Sequence, residues 1–162
     1  MGRGRFGFYP VFGMLVACLA LNSARAAEPH YKFVKEIPIG GGGGWDYLHA
    51  DAADHRLFVT HGTKVIVIDT EKDKVVGEIP DTPGIHGFVT APDLQRGFSS
   101  NGQENKSSII DLTNLKLVSK VVTGSNPDAL LFEPKLAQVW VFNGRGQSTT
   151  VYDAKTGAVI AA

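Results

Sequence analysis

Val65-Ile66-Val67-Ile68-Asp69 decides the fold, because the chain repeats this pattern twice more, as Ser108-Ile109-Ile110-Asp111 and Thr150-Val151-Tyr152-Asp153. The three aspartates stand 42 residues apart each time. A polar turn follows each of them, and then an apolar pair: Val75-Val76, Leu117-Val118 and Val159-Ile160. Upstream of each aspartate lies a second apolar run that ends in a turn. These runs are Leu57–Gly62, Gly97–Gly102 and Val139–Gly144. Further upstream a third run recurs at Tyr47–Ala50, Phe88–Ala91 and Leu130–Glu133. Each unit thus holds four short runs, rich in β-branched and aromatic residues and separated by Gly, Pro, Asn or Asp. No stretch after residue 27 keeps a helical period. Four strands in a repeat of about 40–45 residues make a β-propeller blade. A two-sheet sandwich gives alternating strands without a fixed period.

The expected fold is therefore all-β. Four-stranded antiparallel blades span 45–80, 86–122 and 128–162. Residues 31–38 repeat the fourth strand of a blade, since Glu36-Ile37-Pro38 equals Glu78-Ile79-Pro80. They form an orphan outer strand with no blade in front of it. A closed ring needs about 4–8 blades. The chain accordingly reads as part of an incomplete ring, the alternative being closure by self-association through open blade faces.

Composition narrows the function. The chain carries 16 Lys+Arg against 16 Asp+Glu. Arg3, Arg5 and Arg25 lie in the first 26 residues, which hold no acid, so the remainder has 13 bases and 16 acids. That balance argues against a strongly basic nucleic-acid binder. A single Cys excludes an internal disulfide framework and any CxxC motif. Residues 1–26 read as a signal peptide. A basic start and an apolar run too short and interrupted for a membrane span lead to Ala24-Arg25-Ala26, a cleavage site. The expected location is periplasmic or secreted, with no transmembrane segment in the mature chain. Lipidation at Cys18, within Leu15-Val16-Ala17-Cys18, is the competing reading.

With the strands lettered A to D from the axis outward, the D-to-A and B-to-C loops share one face of a propeller. They hold most of the unusual side chains. Counted back from Asp51, Pro92 and Pro134, the residues Trp45, His86 and Asp128 are equivalent, and Asp46 follows directly. His61, Asn101 and Asn143 match one another at the B-to-C turn, with Arg145 two residues on. These eight are the candidate ligand-binding residues of the channel mouth. Asp46, His86 and Asp128 are further candidates for a divalent metal, since imidazole and carboxylate both ligate such ions. Turn chemistry explains the same residue types, because Asn-Gly and His-Gly suit turns with φ > 0. Asp69, Asp111 and Asp153 are structural, as a unique active site would not recur in every blade. No catalytic residue emerges. The Gly40–Gly44 run precedes no helix, so it is not a phosphate-binding loop.

The chain resembles the YVTN-repeat β-propellers, the YncE-like exported bacterial proteins. The residues that carry this are Val65–Asp69, Ser108–Asp111 and Thr150–Asp153, with His86-Gly87, Asn126-Pro127-Asp128 and Asn143-Gly144-Arg145-Gly146. The resemblance covers residues from about Tyr31 onward and implies a seven-bladed ring. It is specific for architecture and weak for function. The function expected is a non-catalytic scaffold that binds a small molecule or a protein. A metal-dependent, lactonase-like hydrolase and single-stranded nucleic-acid binding are the alternatives.

Overall fold

The structure, a computed structural model, describes residues 1–2 and 31–162. Apart from its first two residues, the expected signal peptide lies outside the described residues, as do Cys18 and the cleavage position after Ala26. The chain divides into two units, Met1–Lys35 and Glu36–Ala162. In the first, residues 31–35 are exposed and form no strand. No helix among the described residues is long and apolar enough to cross a membrane.

The second unit is all-β. Its strands are β1 (Trp45–Asp51), β2 (Arg56–His61), β3 (Lys64–Asp69), β4 (Lys74–Ile79), β5 (Ile85–Ala91), β6 (Arg96–Asn101), β7 (Lys106–Asp111), β8 (Lys116–Val122), β9 (Pro127–Glu133), β10 (Gln138–Asn143), β11 (Ser148–Asp153) and β12 (Val159–Ala161). One short 3-10 turn, Pro92–Leu94, is the only helical element among the described residues. The strands form three four-stranded sheets, each taken in chain order. All pairings are antiparallel. These are blades of a propeller-like fold.

Alternation along the strands decides which side chains face which neighbour. Phe58, Val65, Val67 and Ile79 of the first blade meet Ile85, Phe88, Ile110 and Leu112 of the second. Phe98, Ile109 and Val121 of the second meet Val139, Val141, Tyr152 and Ala154 of the third. The aromatic rings repeat the contact: Phe58 stacks on Phe88 at 4.8 Å between centroids, and Phe98 lies 6.1 Å from both Phe132 and Tyr152. Burial of such rings supplies most of the cohesion between blades, at roughly 25 cal/mol per Å² of apolar surface. On the forward face of the third blade, Trp140 and Phe142 remain 37% and 38% exposed.

Residues 31–38 do not form the outer strand expected from the repeat. Residues 31–40 carry no strand or helix. A strand holds only where its backbone groups find a partner strand, and none of the described strands pairs with this segment. Ile37 and Ile39 nevertheless lie against Val59, Ile66 and Ile68 on the rear face of the first blade.

The turn aspartates act within each blade. Asp69 Oδ1 accepts the backbone N–H groups of Glu71 and Lys72 at 3.0 and 2.8 Å. Asp111 Oδ1 accepts that of Thr113 at 2.8 Å. Asp153 Oδ1 accepts those of Lys155 and Thr156 at 2.9 and 2.8 Å. Side-chain bonds from Lys72 to Asp69 and from Thr113 to Asp111, together with these backbone bonds, favour the ionised form, and all three carboxyls sit below the usual Asp range.

Candidate functional site

The first strands of the three blades, β1, β5 and β9, each bulge as they enter their sheet. Trp45 pairs with His61 and Leu48 with Val59, so Asp46 and Tyr47 together oppose Thr60. Ile85 pairs with Asn101 and Phe88 with Ser99, so His86 and Gly87 together oppose Ser100. Pro127 pairs with Asn143 and Ala129 with Phe142, which leaves Asp128 as the extra residue. A bulge re-aims the side chain it carries. By this register Asp46, His86 and Asp128 are the equivalent residues. Trp45 instead matches Ile85 and Pro127. The equivalence expected for Trp45 is therefore one residue off. Ala52, and not Asp51, corresponds to Pro92 and Pro134, and a one-residue slip turns a strand side chain to the other face. Trp45 is 72% exposed beside the site.

The three bulge residues meet. Nδ1 of His86 lies 2.7 Å from Asp46 Oδ2 and 3.6 Å from Asp128 Oδ1. An ionised carboxylate only accepts hydrogen bonds, so Nδ1 carries a proton and donates it to Asp46. The other ring edge rests on backbone. A Cβ at Gly102 would stand 2.7 Å from His86 Nε2 and 3.0 Å from Asn126 Oδ1. A larger residue at 102 would push the imidazole out of this position. The side chains of His86, Asp46 and Asp128 are 29%, 41% and 53% exposed, so a ligand reaches them from solvent.

As they stand, the same three side chains are paired with one another and are not spaced as metal donors. Among the described residues no three His, Cys, Asp or Glu side chains are arranged to hold a metal ion. The physical reason is the spacing. Donors around a tetrahedral ion at about 2.0–2.2 Å stand roughly 3 Å or more apart, whereas Nδ1 and Oδ2 are at the 2.7 Å of a charge-assisted hydrogen bond. Both carboxylates also address one and the same nitrogen.

His61, Asn101 and Asn143 match one another, but they are 7%, 0% and 2% exposed and face into the blade layers. Asn101 Nδ2 donates to Glu104 and Ser108, and its Oδ1 accepts from Ser99. Asn143 Nδ2 donates to Ser148 and Thr150. Val141 stands where the second blade has Ser99, and Asn143 Oδ1 is left without a partner. Asn101 and Asn143 brace the B-to-C turns through these bonds, and Asn143 also lines the cleft beside Asp128. Arg145 is exposed in the turn between β10 and β11, and the ion pairs of His86 run to the two aspartates.

Two hydroxyls with no place among the expected site residues support the bulges. Thr60 Oγ1 accepts the N–H of Tyr47 at 2.8 Å, and Ser100 Oγ accepts that of Gly87 at 2.9 Å. The available signal was a hydroxyl one residue before His61 and before Asn101. Below the mouth, a cleft of about 140 Å³ runs along the inner strands between Tyr47, His49, Phe88 and Leu130. Here His49 Nε2 accepts the N–H of Thr90 at 3.3 Å and lies 2.9 Å from its hydroxyl. Burial lowers the His49 pKa, and Asp51 opposes that shift. A second cleft, of about 250 Å³, lies beside Asp128 and is lined by Phe142, Gln147 and Thr149.

No family model matches the chain. No curated protein matches it either. Solved structures do match, 458 chains in all. Among them is Kuenenia stuttgartiensis hydrazine synthase, with a TM-score of 0.65 and 16% identity over 70% of this chain. The chain spans 33% of the length of that structure. At this identity the likeness shows the fold.

Proposed function

We propose that this protein is an exported YVTN-type propeller, that its blades belong to a closed ring of seven, and that the channel mouth binds a ligand or protein segment through a cationic, hydrogen-bond-donating group. The observation that carries the binding reading is the meeting of Asp46, His86 and Asp128 from three consecutive blades. Two exposed carboxylates about one imidazole present acceptors to solvent, and an ammonium or guanidinium group supplies the matching donors. Phosphate-rich partners are disfavoured at the same place, because two aspartates repel them.

The ring reading draws on the layers between blades. Ile79 and Val121 occupy successive layers at a 42-residue spacing, and Ile37, the preceding member of that series, occupies the layer behind the first blade. Export draws on the composition of residues 1–26.

The test is a titration of the isotope-labelled chain with arginine and, separately, with spermidine, followed by NMR. Saturable shifts confined to Asp46, His86, Asp128 and their neighbours are expected. The double variant Asp46→Asn, Asp128→Asn should abolish them. Shifts elsewhere, or none at millimolar ligand, would overturn the binding reading.

A further inference from the structure

We propose that Ser100 is the positioning residue of the channel mouth, its hydroxyl setting the distance between His86 and Asp128. The inference rests on the binding reading of that mouth and adds the group that holds its geometry.

Ser100 is fully buried, at 0% exposure. Its Oγ accepts the N–H of Gly87, the residue after His86, at 2.9 Å. The same oxygen donates its proton to the backbone carbonyl of Asp128 at 2.6 Å. One atom therefore ties the backbone beside His86 to the backbone of Asp128, across the boundary between two blades. The equivalent residues do not do this. Thr60 Oγ1 makes both of its bonds to Tyr47, inside the first blade. Phe142 has no hydroxyl, and its strand closes on Ala129 without the wider bulge. The crossing bond thus occurs at the boundary between the second and third blades, where His86 and Asp128 stand 3.6 Å apart.

The packing around the clamp is tight. A Cβ at Gly87 would stand 2.7 Å from Leu130 Cδ2, 3.3 Å from Ser100 Oγ and 3.6 Å from the Asp128 carbonyl oxygen. Glycine lets the two inner strands approach closely enough for one hydroxyl to reach both. Without the hydroxyl, a buried N–H and a part-buried C=O lose this partner, and each seeks another by moving its strand. The side chains of His86 and Asp128 move with those strands.

The test compares Ser100→Ala with Ser100→Thr, threonine being the residue that serves at position 60. Two readouts are taken on the folded chain. The first is the nuclear Overhauser contact between the His86 ring and the Asp128 methylene, read without any ligand. The second is the affinity for arginine. Ser100→Ala should lose the contact and weaken arginine binding by about tenfold. Ser100→Thr should restore both. If Ser100→Ala does not fold, Ser100→Cys carries the same readouts with volume kept and both bonds weakened. Retention of the contact in the variant lacking the hydroxyl, or failure of threonine to restore it, would overturn the clamp. Failure of the wild-type chain to bind arginine with the contact intact would overturn the binding reading and leave the clamp standing.

Discussion

Nδ1 of His86 lies 2.7 Å from Oδ2 of Asp46, although 40 residues of chain separate them. The bond joins the innermost strands of two sheets at their open end. Its exposure makes it a poor source of stability, since partly exposed ion pairs contribute about 0–1 kcal/mol. Asp46→Asn should therefore change the unfolding free energy by about 1 kcal/mol or less, as chemical denaturation will show. Its effect on arginine binding should be much larger. A site residue and a structural residue differ in this way, and a large stability loss would class Asp46 with the latter.

Phe98 and Trp140 occupy the same place in consecutive blades. Phe98 is fully buried against the third blade, whereas Trp140 lies on a free face. Phe98→Ala should cost about 3–5 kcal/mol through transfer and cavity formation. Trp140→Ala should cost about 1 kcal/mol. Denaturation of both variants checks this, and equal losses would mean that the blade-by-blade equivalence is misread.

Acid should destabilise the chain through its turns. The pKa values of Asp69, Asp111 and Asp153 are lowered by hydrogen bonds to turn N–H groups and side chains. Their stabilising effect is complete above the ordinary value of 3.8 and is lost as the pH falls through the lower folded values. Replacing all three by Asn keeps a turn acceptor and removes the titration. Unfolding followed from pH 6 to 2.5 should therefore show a shallower acid limb in the triple variant.

His49 predicts a second, separate window. Its pKa is lowered below 6.5, mainly by burial. Below 6.5 the unfolded chain binds a proton that the folded chain refuses, so stability falls with pH until the folded value is passed. Protonation also removes the Nε2 lone pair that accepts from Thr90. His49→Gln should flatten stability between pH 7.5 and 5.5, and an unchanged slope would show that the ring is free to protonate in place.

The blades were legible because each carries an aspartate at its outer turn and the same apolar rhythm before it. The mouth was legible only in part. His86, Asp46 and Asp128 stood out by residue type, but their equivalence depends on a bulge, and two residues opposing one leave no mark on the order of residues. Trp45 was placed one step wrong because Asp51 was matched to Pro92 and Pro134, the place that Ala52 holds. His61, Asn101 and Asn143 looked like mouth residues because they end their strands beside glycine-containing turns. Alternation along β2 already puts His61 on the side of buried Val59, and the same parity holds at Asn101 and Asn143. Ser100 gave almost no signal alone, since its role lies in a bond to a carbonyl 28 residues away. Residues 31–38 matched a strand in pattern, yet without a partner strand they keep only the position of Ile37.

The most direct test of the account is the two-bond proton–nitrogen spectrum of the His86 imidazole, recorded near pH 7.5 with and without arginine. The account predicts a proton on Nδ1, held by Asp46, with both ring nitrogens shifting as arginine saturates the site. A ring protonated at Nε2, or one indifferent to arginine, would contradict it.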